Sequence, residues 1–400
     1  MPGPLAGYRI IDLTQMVSGP LATMILGDQG ADVIKIEPPD GDHTRAASQR
    51  RGGFSATFLN NNRSKRSIVI DLKRREGLEI LLRLLEGADV FIQNFRPGVA
   101  ERLGVGEEAV RRVSPAIVYV SLSGYGERGP FAANPAYDPL IQAMSGLATI
   151  QAGSDEARPR LLRTILPDKL TAFCAAQAVA AALLAREKTG EGQHVRLSML
   201  EAVLAFLWSS DMESQTFVED DLPRQKPASH ISLIYETAEG YMSVAVQSDR
   251  EWAALAHALG RPEWLSDPRF ETPALRQKNV NERLKMTQEV LLTAPAALWL
   301  ERLTKAGVPC APVLTRNEVI RHPQTAALEI VVEPEHPLAG RLRQARPAAR
   351  FSRMETPIRR LAPGLGEHTE EILGEIGCSE AEIARLFELG VTRPKERLGE

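Results

Sequence analysis

Asp168 stands where a carboxylate can do more than solvate a surface. It lies within Ile165-Leu-Pro-Asp-Lys-Leu, at the start of a helix that the pattern predicts over about 167–188. Pro167 suits the first helical position, where its missing N–H costs nothing, and Gly190 suits the stop. A first-turn acid is favoured by the helix dipole by about 0.3–1 kcal/mol at exposed sites, so a purely structural role explains it. So does covalent chemistry, because carboxylates serve as nucleophiles. Spacing alone leaves both roles open.

Two further features could carry a ligand. Between His43 and Arg75 there are nine basic residues (Arg45, Arg50, Arg51, Arg63, Lys65, Arg66, Lys73, Arg74 and Arg75) and one acid, Asp71. A solvated face explains most such runs. A site for a small polyanion, such as a phosphorylated cofactor, is the sharper alternative, since Arg and Lys supply charge-assisted donors. Gly124-Tyr-Gly126-Glu-Arg-Gly129 matches the spacing of a dinucleotide fingerprint, but Pro130 follows at once and no amphipathic helix opens there. The fingerprint also belongs on a first strand–helix turn, not after a fifth strand. The glycines suit close approach of backbone to some other ligand. No nucleophile-elbow, Walker, zincin or zinc-ligand spacing occurs, and the histidines are scattered, so no metal site is expected.

The elements that must position these residues alternate in period. Arg9–Thr14, Asp32–Glu37, Ser67–Leu72, Asp89–Asn94 and Ala116–Ser121 are short runs rich in Val and Ile, with helical patterns between them at Pro20–Leu26 and Glu76–Leu85. Such alternation predicts an α/β layered domain around a parallel sheet. The Ala-rich helix over 167–188 is apolar all round and is expected to be buried. Gln193–Leu197 follows as a strand and Met199–Trp208 as a helix. An acidic then proline-containing stretch, 211–229, reads as a linker. Beyond it, a hairpin (Ile231–Thr237 and Tyr241–Gln247), helices around 249–259 and 279–306 and a strand at Cys310–Leu314 make a smaller α+β domain over 230–325. A looped segment over 333–363 and two short helices close the chain. The large domain is thus expected to comprise 1–210 and a return segment, 326–400.

The whole-chain numbers bound the function. Four hundred residues, 44% hydrophobic and 25% charged, describe an ordinary globular protein of more than one domain. A net charge of −3 supplies no field for nucleic acid or an anionic membrane. Three distant cysteines, Cys174, Cys310 and Cys378, fit a reducing compartment. The most apolar stretch, Leu170–Ala185, is shorter than the ~20 residues that span a bilayer, and the first residues lack the features of a secretory signal. A cytoplasmic protein with no membrane or nucleic-acid partner is expected.

Taken as a set, the motifs resemble the class III CoA-transferases (the CaiB/BaiF family). The resemblance runs in order through Asp12-Leu-Thr, Ser18-Gly-Pro, Gly30-Ala-Asp-Val-Ile-Lys-Ile-Glu-Pro-Pro39, Asn62-Arg-Ser-Lys-Arg-Ser, Asp71-Leu-Lys73, Asn94-Phe-Arg-Pro-Gly98, Arg102-Leu-Gly104, Ser123-Gly-Tyr-Gly126, Tyr137-Asp138, Lys188-Thr-Gly-Glu-Gly-Gln193, Ala306-Gly-Val-Pro-Cys310 and Leu365-Gly-Glu-His-Thr369. It implies a Rossmann-like large domain, a smaller α+β domain and an interlocked homodimer. It implies transfer of CoA from an acyl-CoA, with succinyl-CoA a candidate donor, to a free carboxylic acid. Asp168 would be the covalent nucleophile, and CoA a substrate, with no permanently bound cofactor. CoA contacts are implied at Gln15, Met16, Ile70, Lys73, Asn94, Phe95, Arg102 and Tyr137. The alternative is an acyl-CoA racemase of the same fold. Racemases of the family carry a histidine at the position of Tyr137, and a phenol with a reference pKa of about 10 is a poor substitute near neutral pH.

Overall fold

Six parallel strands form the sheet on which the first part of the chain is built. The computed structural model describes residues 3–47, 49–218 and 232–395. The strands are β1 (Arg9–Asp12), β2 (Asp32–Glu37), β3 (Lys65–Val69), β4 (Val90–Gln93), β5 (Val118–Ser123) and β6 (His194–Ser198). Their order is β3-β2-β1-β4-β5-β6, every neighbouring pair being parallel. This is the doubly wound order of Rossmann-type sheets, whose switch point lies between the first and fourth strands. Residues just beyond the C-terminal ends of β1 and β4 are therefore the ones this topology brings to a crevice.

Alternation along each strand feeds two cores. Ile11, Ile34, Ile68, Phe91 and Tyr119 point to one face and pack with Ile80, Leu81, Leu84 and Leu85 of α2 (Arg75–Glu86). Ile10, Val33, Val90, Ile92, Val118 and Val120 point to the other. There they meet Ala22 and Leu26 of α1 (Ser18–Asp28), and Ala172, Ala175, Ala176 and Val179 of α4 (Leu166–Thr189). The shorter helix α3 (Asp138–Met144) lies between β5 and α4 in sequence, and α5 (Met199–Trp208) follows β6 directly. Ser198 caps α5 by a reciprocal capping box with Glu201.

Two expectations are corrected here. The strand expected at Ser67–Leu72 starts two residues earlier, at Lys65, because the charged side chains of Lys65 and Arg66 are themselves buried. Helix α4 is not buried all round. Its small residues face the sheet, while Phe173 and Leu184 are 58% and 59% exposed. At 24 residues it is also longer than its apolar centre suggested and, by length and composition, could cross a membrane.

The chain divides into two compact units, Met1–His230 with Glu329–Glu400, and Ile231–Leu328. The second has its own antiparallel sheet of β7 (Ile234–Glu236), β8 (Tyr241–Val244) and β9 (Cys310–Pro312), with β8 in the middle. Trp252, Trp264, Phe270 and Trp299 fill its core. The helix expected over 279–306 is two helices, Val280–Leu291 and Ala296–Lys305, and Pro295 caps the second. The start of the expected hairpin strand, Ile231, and most of the expected linker lie outside the described residues. Within 329–400 the two closing helices are Thr369–Glu375 and Glu380–Glu388. Their Ile372, Leu373 and Leu386 join the core beneath α2.

Candidate active site

Helix α4 opens with Leu166, Pro167 and Asp168; the proline has no amide hydrogen, and the Asp168 amide finds its partner on α3. The Asp168 amide donates to Asp138 Oδ2 at 3.2 Å. Asp138, 4% exposed, is held in turn by Gln142, whose Nε2 donates to Asp138 Oδ1 at 2.6 Å and to the Thr164 carbonyl at 3.1 Å. Gln142 Oε1 accepts from the Leu162 amide at 2.9 Å. One glutamine therefore fixes both the neighbouring carboxylate and the segment leading into α4.

This packing sets the electrostatics. Burial first, and the nearby Asp138 carboxylate second, push the Asp168 carboxyl up from an ordinary 3.8 to about 6. The hydroxyl and amide of Ser18, at the start of α1, work the other way and favour the ionised form. Burial pushes the Asp138 carboxyl up as well. Asp168 is thus a carboxylate that is ionised near neutral pH yet short of partners, the condition of a usable nucleophile.

The loop between β1 and α1 forms the opposite wall. Asn94, just past β4, brackets the Gln15 backbone: its Oδ1 accepts from the Gln15 amide at 2.9 Å and its Nδ2 donates to the Gln15 carbonyl at 2.8 Å. This pair of hydrogen bonds ties the ends of β1 and β4 together across the switch point and fixes both ends of the Asn94 amide. Met16 takes a left-handed backbone (φ 71°), uncommon for a residue with a side chain. It stays 41% exposed.

These elements enclose a cavity of about 410 Å³, within the range of small-ligand sites, roughly 300–1,000 Å³. Asp168, Gln15, Met16, Asn94, Phe95 and Tyr137 all line it. Gly124 of the glycine loop also borders it, and a Cβ there would fall 2.0 Å from that of Ala136, so only glycine fits. Three of the sequence-predicted residues lie outside this lining. Ile70 is 2% exposed in the core beneath α2. Lys73 is exposed just before α2, and Arg102 is exposed at the end of the short helix Val99–Arg102. Val17, Ser18, Asp138 and Met199 are among the residues that line it without having been singled out for it. Ser18 and Asp138 were visible within recognised motifs, but nothing in the sequence alone showed which way they face. A larger cavity of about 670 Å³ among His336, Arg360, Glu367, His368 and Lys395 contains none of the expected site residues.

Most of the basic run at 43–75 is paired with carboxylates within the fold. Arg45 pairs with Glu37, Arg63 with Asp28, Lys65 with Asp12, and Arg66 with Asp32, Glu371 and Glu375. Arg74 and Arg75 pair locally with Asp71 and Glu79. The acids that balance the run come from elsewhere in the chain. Arg96 is the one Lys or Arg in the lining of the Asp168 cavity among the described residues. Among those residues, too, no group of three or more His, Cys, Asp or Glu side chains is arranged to hold a metal.

Known proteins match this sequence and fold over nearly their whole length. The model of CoA-transferase family III matches residues 5–369. The acetyl-CoA:oxalate CoA-transferase of Acetobacter aceti is 36% identical over 95% of this chain and 97% of its own. The human succinyl-CoA:glutarate CoA-transferase is 33% identical over 98% of this chain and 91% of its own. Among solved structures, a CaiB/BaiF family protein from Brucella suis superposes with a TM-score of 0.83 at 29% identity, covering 94% of this chain and 100% of that one.

Proposed function

The chain belongs to CoA-transferase family III and is a class III CoA-transferase, and from that premise we propose that it moves CoA between an acyl-CoA and a free carboxylate through covalent intermediates on Asp168. The observation that carries the proposal is the Asp168 carboxylate itself, lining a cavity with its pKa pushed up to about 6 and Ser18 favouring the ionised form. One Asp168 oxygen attacks the thioester carbonyl, the C–S bond breaks, and an acyl-aspartyl anhydride and CoA thiolate result. The thiolate attacks the aspartyl carbonyl, releasing the donor's carboxylate and leaving an aspartyl-CoA thioester. The acceptor carboxylate attacks that thioester to form a second anhydride and free thiolate. The thiolate then takes the new acyl group and restores Asp168. Every step exchanges one activated acyl bond for another, so the sequence balances without hydrolysis of a nucleotide. Donors aimed at the developing oxyanions would lower each barrier.

Phe95, Gln15, Met16 and Tyr137 are proposed to contact CoA from the cavity wall, and Lys73 and Arg102 to contact it beyond that wall; the Ile70 side chain, buried in the core beneath α2, is not available to it. Asn94 acts through the Gln15 backbone that it holds. Succinyl-CoA heads the donor screen, with the human relative's reaction as its support. A racemase would require a second base facing Asp168. Tyr137 offers only a phenol there, and no histidine lines the cavity among the described residues. That alternative is not favoured.

The exposed Phe173 and Leu184 of α4, and Phe206 and Trp208 of α5, support association with a second copy, which we propose to be the interlocked homodimer. Sedimentation should give a dimer mass, and a monomer at micromolar concentration would overturn that assignment. The three cysteines are all free, which supports a reducing, cytoplasmic setting. The test of the mechanism is the intact mass of protein mixed with donor before acceptor is added. A CoA adduct mapping to Asp168 is expected. No adduct, together with full turnover by Asp168→Asn, would end the proposal.

A further inference from the structure

Two lysine ammonium groups lie fully buried beneath the segment that leads from β1 into α1. Lys35 Nζ, on β2, donates to the Thr14 carbonyl at 2.8 Å and to Asp42 Oδ2 at 3.0 Å. Lys65 Nζ, on β3, donates to the Pro20 carbonyl at 2.9 Å, to Asn62 Oδ1 at 2.8 Å and to Asp12 Oδ2 at 3.1 Å. Both side chains, and those of their carboxylate partners, are 0% exposed. Removing such pairs from water costs several kcal/mol per ion, and well-packed apolar residues would often serve stability as well or better. Their placement therefore calls for a role other than stability.

That role is visible in what the ammonium groups hold. Each spends a donor on a backbone carbonyl, and the two carbonyls, Thr14 and Pro20, flank Ser18. The segment has no slack between them. A Cβ on Gly19 would lie 2.3 Å from the Thr14 Cβ, so Thr14 is packed directly against the residue after Ser18. Asp12 extends the clamp. Its Oδ1 accepts from the Thr14 amide and hydroxyl at 2.9 and 2.5 Å, and its Oδ2 from Thr23 of α1 at 2.7 Å. Asp42 reaches the Met16 amide at 3.4 Å and the Thr44 amide and hydroxyl at 2.9 and 2.8 Å.

We propose that Lys35 and Lys65 are positioning residues for the reaction: two buried ammonium groups that grip the Thr14 and Pro20 carbonyls and thereby hold Ser18 against the Asp168 carboxylate. The inference rests on the reading of Asp168 as the nucleophile. Ser18 of α1 and Asp138 of α3 line the same cavity as Asp168, and Asp138 accepts from the Asp168 amide at 3.2 Å. Asp138 opposes its ionisation and Ser18 favours it, so the position of Ser18 tunes both the aim and the ionisation of the nucleophile.

The test removes the Lys35 grip without stranding a charge. In the double variant K35M/D42N, asparagine keeps an acceptor for Met16 and Thr44, and Asp12 retains Lys65. The double variant should lose about 10- to 100-fold in kcat, the scale of a misplacement near 1 Å. Its KM for acyl-CoA should change less than about threefold, because the loss falls on the chemical step and not on binding. The midpoint of its kcat/KM–pH profile should move above that of the wild type, since Ser18 no longer favours the carboxylate. G19A provides an independent route from the loop side: its new methyl displaces Ser18 while touching no charge, and the same signature is expected. A folded K35M/D42N, or a folded G19A, with the wild-type kcat and pH profile would overturn the proposal. Asp168→Asn separates the two readings. If that variant retains turnover, the nucleophile assignment fails; if it is inactive while K35M/D42N is normal, only the positioning role fails.

Discussion

Two rows of titratable groups occupy the large unit, and the better aligned of them is not the one proposed to react. Ser121 Oγ on β5 lies 2.7 Å from His194 Nε2 on β6, and His194 Nδ1 lies 2.6 Å from Glu107 Oε2. The spacing is that of a serine hydrolase relay. Yet every member is already occupied. Gln93 donates to the Ser121 oxygen at 3.2 Å, and Glu107 also accepts from Arg111 and Arg196. Ser121 is 7% exposed, and burial holds the His194 imidazole below its ordinary pKa. Both rows border a cavity, of about 230 Å³ beside the serine row and about 410 Å³ beside Asp168, but the Asp168 carboxylate carries a raised pKa and has only Ser18 to favour its charge. The difference teaches that reactivity belongs to the group left short of partners. A row of hydrogen bonds that closes on itself staples strands together.

The largest effect expected from this contrast is at Asp168. Asp168→Asn should lower CoA transfer by at least about 10³-fold, as removal of a covalent nucleophile does in other enzymes, read as new thioester formed per unit time by mass spectrometry. It should also stabilise the protein. The folded-state pKa of Asp168 lies above its ordinary 3.8, so folding favours the protonated form. The stability this group contributes is complete below about pH 4 and is lost as pH rises through about 6, a change of at most about 3 kcal/mol. The variant should therefore melt higher than the wild type at pH 7.5 and no higher at pH 4. A variant that is inactive but less stable at pH 7.5 would show that Asp168 is a structural acid.

A smaller effect is expected at Asp138. In the wild type, kcat/KM should rise with pH to a plateau above about pH 6, following ionisation of Asp168. Asp138→Asn removes the neighbouring charge that raises that pKa, so the midpoint should move to lower pH. It also turns an amide donor toward Gln142 or toward the Asp168 amide, both of which are donors. A loss of roughly tenfold in kcat is expected from the poorer aim. A midpoint unmoved in Asp138→Asn would mean that burial alone sets the nucleophile's pKa.

Much of the frame was legible before any coordinates. The bounds expected for Met199–Trp208 and for Asp32–Glu37 match the structure, because apolar pattern and termini agree there. What stayed hidden depended on pairing across distance. Lys65 and Arg66 read as a solvated basic run because their partners, Asp12, Asp32, Glu371 and Glu375, lie 34 to 309 residues away in the chain. The Ala-rich helix read as buried all round because periodicity records hydrophobicity and not what covers it; Phe173 and Leu184 are exposed. Asp168 could be ranked as a candidate from its helix position, but its raised pKa arises from burial and then from Asp138, thirty residues earlier, and neither shows in the local sequence. Motifs carried the sequence reading across these gaps, without the physical reasons for them.

The smallest expected effect is the one that most directly tests the comparison. Ser121→Ala should leave CoA transfer within about twofold of the wild type, and any slow hydrolysis of acyl-CoA should be equally unaffected. The hydroxyl sits in a closed row, so its loss removes two hydrogen bonds, each worth about 1 kcal/mol of stability. His194 then loses the partner of its Nε2 but keeps Glu107 on Nδ1, and Gln93 loses an acceptor. The melting temperature should fall by a few degrees with no change in the pH profile of transfer. Were Ser121→Ala instead to abolish hydrolysis while sparing transfer, the serine row would be a second catalytic centre. The contrast between a closed and an open cluster would then fail at its better aligned end.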